Sequence, residues 1–513
     1  MIIVGKVIQE AGKYVLPYRI PRKKEAQALQ LKTLSKLIRR SSHTVFGMYY
    51  SFHKLIGQKK KDISVKDFQN TVPILTYNDF YDPWIKKMLA GDKNVTWPGQ
   101  IKFFALSSGT TGSPSKRIPI TRSMIRSFQR SSLLQFNVLF KLDFPISFYR
   151  TQVLTIGGST ELQFVDNHYE GDLSGILRKH TAIVARNLTQ PGPHITKSKV
   201  FLEKVEMIVQ EAPKWDIGSI AGIPTWVTIV LEKIIEKHQL NSIHDIWPNL
   251  KVYVHGGVYL DPYRERLNKL FTKKVIYLDT YLASEGYFGY QDNPNEAGMK
   301  ILPNRGIFYE FIPFNKNYFD ADGDIIDKHT ALTIEEIEEN VDYALVISTN
   351  SGLWRYLLGD LVRFIDKENL KLVISGRVKQ TLNLCGEHLT LDNLNQAVKE
   401  VCAEVDIPIF DYTILPNEEE QTHHWYIEVE VQENTSSIME KIDVKLFELN
   451  DDYQYVRKNA LNLPKVHLVK PGTFYNFLKS KNKLGAQHKM PRVLNKQQRL
   501  EWLSFLKGNV NGI

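Results

Sequence analysis

Cysteine is all but missing from this chain, with Cys385 and Cys402 the only two in 513 residues. Two thiols cannot build a disulfide framework, and their spacing matches no zinc-ligand pattern, so the expectation is a reducing, cytoplasmic setting. Long apolar runs are missing as well, and none approaches the ~18 residues that a membrane span needs. The apolar N-terminal stretch is interrupted by Lys6, Glu10 and Lys13 before a signal-peptide core could form. Residues 2–8 are left with at most a weak amphipathic contact with a membrane. Internal repeats and low-complexity tracts are absent. A strong charge of one sign is lacking too. The 66 Lys and Arg outnumber the 56 Asp and Glu for a net charge of +10, a surplus that attracts anions in general. These cations are scattered, in short clusters such as Lys59, Lys60 and Lys61, or interleaved with acids, as on solvated faces. Neither a recognition helix nor an aromatic stripe accompanies them, which speaks against a nucleic-acid-binding protein.

What is present is an ordinary globular composition, 43% hydrophobic and 24% charged, in a length that should divide into two or three domains. Residues 22–40 carry Leu31, Leu34 and Ile38 at helical spacing. From about residue 100, short apolar runs alternate with helical ones. The run 102–106 leads into a Ser/Gly/Thr-rich loop and a helical stretch from Ser123. The run 152–156 ends at Gly157 and Gly158, and 251–254 ends at Gly256 and Gly257 before a polar helix from Asp261. The run 275–278 precedes another loop. This order predicts an α/β fold with largely parallel strands, whose sites collect where loops leave the carboxyl ends. After Asp360, 361–365 and 370–374 read as a hairpin, 391–401 as a helix, and 411–415 and 425–431 as strands. The predicted organisation is a large N-terminal α/β domain over 1–375 and a smaller α+β C-terminal domain over 376–513, joined by a hinge at 376–379.

The chemistry concentrates in a few stretches. Residues 107–116 follow an apolar run and hold Ser107, Ser108, Gly109, Thr110, Thr111, Gly112, Ser113, Pro114, Ser115 and Lys116. Glycines let successive backbone N–H groups turn inward into an anion nest, hydroxyls add donors, and lysine adds a point charge for phosphate. A Walker loop starting at Gly109 would need Gly and Lys where Pro114 and Ser115 stand. The alternative is a flexible polar linker, against which the preceding strand and Pro114 argue. A second loop, 281–286, offers an aromatic (Tyr281) to stack on a base, a hydroxyl (Ser284) for phosphate and a carboxylate (Glu285) for Mg²⁺. Gly256 and Gly257 would let a flat purine approach the backbone, or simply turn the chain. At 355–362 the single acid Asp360 follows Gly359; a carboxylate accepts both hydrogen bonds of a ribose diol, although a turn Asp reads the same way. Gly376 and Arg377 sit at the expected hinge, and Lys489 lies on a Gly- and Pro-flanked stretch near the C-terminus.

Together these pieces resemble the acyl-adenylate-forming enzymes, the superfamily of firefly luciferase, acyl-CoA synthetases and peptide-synthetase adenylation domains. Within it they look like the plant auxin-responsive acyl-amido synthetases and their bacterial relatives. The resemblance rests on SSGTTGSPSKRIPIT (107–121), YLASEG (281–286), GLWRYLLGDLVRF (352–364), SGRVKQTLNLCGEHL (375–389) and LGAQHKMPRV (484–493), in that order over most of the chain. It implies that the 107–116 loop closes over the phosphates of ATP, and that Tyr281 packs on adenine beside Gly256 and Gly257. Ser284 and Glu285 would handle phosphate and Mg²⁺, Asp360 would hold the ribose with Arg377 in support, and Lys489 would be a mobile catalytic lysine. Two departures stand out: Leu282 replaces a commonly small residue, and Ser115 separates Pro114 from Lys116, where many relatives put Lys directly after Pro.

The implied reaction is adenylation of a carboxylic acid by MgATP, then transfer of the acyl group to an amine, in this family an amino acid, with a domain rotation between the steps. An acyl-CoA ligase shares the first step and differs in its acceptor. A non-enzymatic nucleotide binder is a further alternative, opposed by the functional residue types kept in every loop. For the acid, residues 157–161 and 222–226 are candidate walls, with Thr225 and Trp226 as contacts; a core role for Trp226 is the alternative. Neither the acid nor the oligomeric state is readable.

Overall fold

In a computed structural model the described residues are 21–56, 63–107, 116–142, 144–181, 186–257, 260–320, 323–378, 382, 384–385, 387, 389–405, 409–430, 435–481 and 490–508. Their strands, in chain order, are Phe103–Ser107 (β1), Lys116–Ile120 (β2), Gln152–Thr155 (β3), Gln163–Val165 (β4), His168–Gly171 (β5), Thr189–Gln190 (β6), Ile217–Ala221 (β7), Val252–Gly256 (β8), Ile276–Ala283 (β9), Gly286–Tyr290 (β10), Met299–Ile301 (β11), Ile307–Pro313 (β12), Asp342–Thr349 (β13), Tyr356–Asp366 (β14), Lys371–Arg377 (β15), Ile409–Asn417 (β16), Thr422–Val429 (β17) and Lys465–Val469 (β18).

An 11-stranded sheet, ordered β12-β13-β14-β15-β11-β10-β9-β8-β7-β3-β6, organises the larger part of the chain. From β6 to β9 neighbouring strands are parallel, with helices Phe201–Glu211, Pro224–His238 and Asp261–Lys269 between successive strands. The expectation of a largely parallel sheet holds for this half only. From β9 onward every pairing is antiparallel. Connection length explains the change. Only Ser284 and Glu285 separate β9 from β10, whereas a parallel pair needs a crossover of a dozen or more residues. Residues 281–286, expected as a loop, are thus a tight hairpin in which Tyr281 to Ala283 belong to β9. The predicted hairpin after Asp360 is β14 paired with β15, and Asp360 lies within β14 rather than before it.

A four-stranded sheet, β2-β1-β5-β4, packs beside this one. It shares a core with the Arg122–Lys141 helix and the antiparallel half through Phe104, Ile118, Phe128, Phe288 and Tyr356. Thr121 starts that helix by accepting the Met124 N–H at 3.0 Å, a cap that satisfies one of the free donors of the first turn. A second core lies under the parallel half, with Ile217, Ile220, Val230 and Tyr253. C-terminal to β15, the sheet β16-β17-β18 and the Leu391–Val405 and Thr435–Leu449 helices enclose a separate core with Tyr412 and Trp425. Among the described residues no helix is long and apolar enough to cross a membrane.

One buried ion pair fixes the start of β14. Arg355 and Glu310 have fully buried side chains, with Nη2 3.0 Å from Oε1. Arg355 also donates to the carbonyls of Gln69 (3.0 Å), Val72 (2.7 Å) and His329 (3.0 Å). Its backbone sits at φ +38°, a conformation that only such dense bonding sustains. Arg355→Met strands the Glu310 charge in the core and is expected to cost about 3–5 kcal/mol in urea unfolding. A loss under about 1 kcal/mol would show that the pair does not hold β14.

Candidate active site

Asp360 is the centre of the site. Its carboxylate accepts a hydrogen bond from the Tyr281 hydroxyl at 2.9 Å and another from Arg377 Nε at 2.7 Å. Tyr281 comes from β9, Asp360 from β14 and Arg377 from the end of β15, where Asp360 and Arg377 are register partners. Each bond goes to a different carboxylate oxygen, so each oxygen keeps acceptor capacity for a further donor. Burial, and then Asp360, push the Tyr281 hydroxyl well above its ordinary pKa, so it remains a donor. Asp360 raises the Arg377 pKa in turn. Gly359 precedes Asp360 at φ +89°, a left-handed conformation that glycine adopts without cost. The ring of Tyr281 packs on Phe288, centroids 4.8 Å apart, and the residue is 3% exposed. The residue expected to pack on a base therefore has its ring in the core and its hydroxyl on Asp360.

Around this centre the other predicted residues converge on one cleft of 3610 Å³, lined by Ser107, Lys116, Gly256, Gly257, Tyr281, Ser284, Glu285, Asp360 and Arg377. Ser107 ends β1 opposite Lys116, which opens β2. Ser108, Gly109, Thr110, Thr111 and Gly112, between them, lie outside the described residues, as does Lys489. Lys116 Nζ stands 5.3 Å from the Tyr77 ring centroid. Ser284 and Glu285 are buried. Burial raises the Glu285 pKa, against the pull of Lys116. Beside it the buried Tyr356 hydroxyl has no hydrogen-bond partner among the described residues. A buried carboxylate with a cation nearby and an unsatisfied hydroxyl fits a hydrated Mg²⁺ that takes its remaining oxygens from phosphate and water. Among the described residues Glu285 is the carboxylate at this point of the cleft that would hold the ion.

Gly256 is there for space. A Cβ on it would lie 2.3 Å from the Thr280 carbonyl oxygen of β9. Thr225 also lines the cleft, donating to the Tyr263 hydroxyl at 3.1 Å. Trp226 reaches the cleft wall but is 1% exposed and packs edge-on to Phe201, which makes it mainly a core residue.

The C-terminal part closes one side of the cleft. Met490, Pro491 and Arg492, directly after Lys489, line it. Arg492 donates to Asp411 and to the Tyr412 carbonyl at 2.8 Å. Thr413 Oγ1 donates to the Pro491 carbonyl at 2.7 Å, so this segment is clamped to β16. Arg266 of the parallel half stands 5.4 Å from the Phe410 ring centroid, and Arg363 of β14 pairs with Asp392 at 3.1 Å. Sequence reasoning passed over Gln135, whose amide donates to Thr280 and accepts from the Tyr287 hydroxyl at 2.9 Å. No local motif marks it; only the packing of its helix on β9 and β10 does.

Family models match in sequence over nearly the whole of this architecture: the GH3 family N-terminal domain at 22–161 and 159–276, the central domain at 300–371 and the C-terminal domain at 392–498. This chain belongs to the GH3 family. Among curated relatives, a jasmonoyl–L-amino acid synthetase of Nicotiana attenuata, JAR6, is 24% identical, covering 95% of this chain and 94% of its own. An indole-3-acetic acid-amido synthetase of Arabidopsis thaliana, GH3.5, is 23% identical, covering 91% and 89%. Among solved structures, the GH3.15 acyl acid amido synthetase superposes with a TM-score of 0.75 at 17% identity, covering 100% of this chain and 97% of the other. A 2-hydroxyisobutyryl-CoA ligase reaches 0.59 at 13% identity, covering 94% and 91%. The GH3 fold is therefore shared with a CoA ligase in backbone alone.

Gly256→Ala is expected to cost about 1–3 kcal/mol through overpacking and to lower the melting temperature. A variant melting with the parent would mean that β8 and β9 have room the geometry denies.

Proposed function

We propose that this GH3 protein is an ATP-dependent ligase that activates a carboxylic acid as its acyl-adenylate and transfers the acyl group to the amine of an amino acid. The observation that carries this reading is the Asp360 carboxylate, held by Tyr281 and Arg377 at the wall of a cleft that Lys116, the buried Glu285 and the Gly256–Gly257 edge also line. In the first step an oxygen of the acid attacks the α-phosphorus of ATP, the bond to the bridging oxygen breaks and pyrophosphate leaves. In the second the amine attacks the acyl carbon, the bond to the AMP oxygen breaks, and AMP and one proton depart. Nothing in this sequence needs a covalent enzyme intermediate. Positioning and fixed charge supply the acceleration.

Asp360 accepts the ribose hydroxyls, and Gly256 and Gly257 border the base. Ser107 and Lys116, with the intervening residues 108–115 that lie outside the described ones, are assigned to the triphosphate. Mg²⁺ held at Glu285 would neutralise charge on the phosphates. Lys489, outside the described residues, is the cation assigned to the first step, the residues directly after it line the cleft, and a rotation of the part after 376 exposes the adenylate to the amine. The acid has an apolar body: on the Arg122–Lys141 helix Leu133 is 52% and Phe136 41% exposed, and both line the cleft with Phe128, Leu139 and Phe140. Apolar side chains left open on a cleft wall are the expected lining for an aryl or alkyl group. In this reading the working setting is the cytoplasm, and the chain is a member of the bacterial branch of its family, within the acyl-adenylate-forming superfamily.

Wild-type protein should release pyrophosphate only when given ATP, Mg²⁺ and a suitable aryl or alkyl acid, and should then form amide with amino acids rather than thioester with CoA. Lys489→Ala should cut acid-dependent pyrophosphate release by at least about 100-fold, the scale of one lost electrostatic contact to the transition state, while ATP still binds. Full release rates in that variant would remove Lys489 from the mechanism. Thioester as the sole product would replace the amine acceptor with a thiol.

A further inference from the structure

Two cations line the far end of the same cleft, and the nucleotide machinery uses neither. Arg178 lies on the Leu173–Lys179 helix, and its Nη2 donates to the carbonyls of Thr189 (2.9 Å) and Pro191 (3.2 Å). Lys204, on the Phe201–Glu211 helix, is 4% exposed and gives one hydrogen bond, 3.0 Å long, to the Gly157 carbonyl. Among the described residues no carboxylate lies within ion-pair distance of either. The nearest acid, Asp172, interacts with Lys204 only at longer range. Burial lowers the pKa of both cations, as it does where a charge is incompletely repaid. Among the described residues Arg178 keeps the Nε and Nη1 side of its fork, and Lys204 keeps two of its three donors.

The surroundings form a shaped end to the cleft. Gly157 and Gly158 follow β3, and the Gly158 N–H donates to Ser174 Oγ at 2.8 Å. Ser174 stands one turn before Arg178, so the two share a helix face. Thr196 borders the same space. In the sheet β3 is two strands from β8, a lateral offset of about 10 Å from the Gly256 edge. That distance suits a group carried by a substrate meeting the adenylate, and is too far for the carboxylate that must reach the α-phosphorus.

We propose that Arg178 and Lys204 form a subsite for a carboxylate that the reaction leaves free, and that its occupant is the α-carboxylate of the acceptor amino acid. This rests on the amide-forming reading, in which every acceptor brings such a group and the product retains it. The subsite selects an amino acid over a simple amine: with no anion supplied, the buried Lys204 and the half-buried Arg178 face no carboxylate at ion-pair distance among the described residues.

The test compares the common amino acids with their carboxamides, which keep the amine and lose the charge. It uses wild type, Lys204→Gln, which keeps a donor for the Gly157 carbonyl, and Arg178→Lys, which keeps charge without the fork. The wild-type preference for amino acid over carboxamide, in kcat/KM, should fall by roughly 10–100-fold in Lys204→Gln, the scale of one charge-assisted bond, through the acceptor's KM. Equilibrium dialysis of labelled amino acid in the presence of AMP should show the same weakening without turnover. An unchanged preference and unchanged dialysis would overturn the subsite. A loss appearing in the acid's KM, for dicarboxylic but not monocarboxylic acids, would give the cations to the acid and overturn the acceptor assignment. Failure of the ligase reading itself shows elsewhere, as no acid-dependent pyrophosphate release by wild type.

Discussion

A single carboxylate ties the structure to its chemistry. Asp360 is held in place by a tyrosine from β9, four strands away in the sheet order, and by an arginine directly across from it on β15. A carboxylate in a protein wall is costly unless its oxygens are bonded; here each has one bond from the protein and room for another. The rest of the antiparallel half serves this arrangement. Gly359 turns β14 through a conformation closed to most residues, and the buried Arg355–Glu310 pair anchors the strand immediately before it. If β14 shifted by one residue, Asp360 would face the other side of the sheet.

The site lies where the sheet changes character. On one side, parallel strands with helical crossovers present their carboxyl ends, and β8 and β9 bring Gly256 and Tyr281 to the edge. On the other, tight antiparallel hairpins deliver Glu285, Asp360 and Arg377. Parallel strand ends leave a crevice, and short hairpins hold charged side chains rigidly beside it. The C-terminal part seats on this junction through contacts of modest size, Arg266 on Phe410 and Arg363 with Asp392. Contacts of that kind can separate and reform, as the proposed rotation between half-reactions requires.

Much of this could be read before any coordinates. The strands near residues 103, 152 and 252, the hairpin after Asp360 and the convergence of Ser107, Lys116, Ser284, Glu285, Asp360 and Arg377 were visible because each depends on a few adjacent residues. Strand direction beyond β9 was not, since alternation of elements is read locally while pairing is set by connection length. Tyr281 was expected to pack its ring on adenine; the ring packs on Phe288 and the hydroxyl donates to Asp360, an arrangement that depends on strands brought together by the fold. Arg355 and Glu310 stand 45 residues apart in sequence, and Arg178 and Lys204 sit on separate helices. No spacing rule connects such pairs; only the fold does.

The most direct test of the central claim is equilibrium binding of ATP against 2′,3′-dideoxy-ATP to wild type and to Asp360→Ala. Loss of the ribose diol should weaken binding to wild type by roughly 100-fold, as two charge-assisted hydrogen bonds disappear. The two nucleotides should bind Asp360→Ala equally and weakly. Equal affinity of wild type for both would contradict the account, because Asp360 would then hold something other than a ribose.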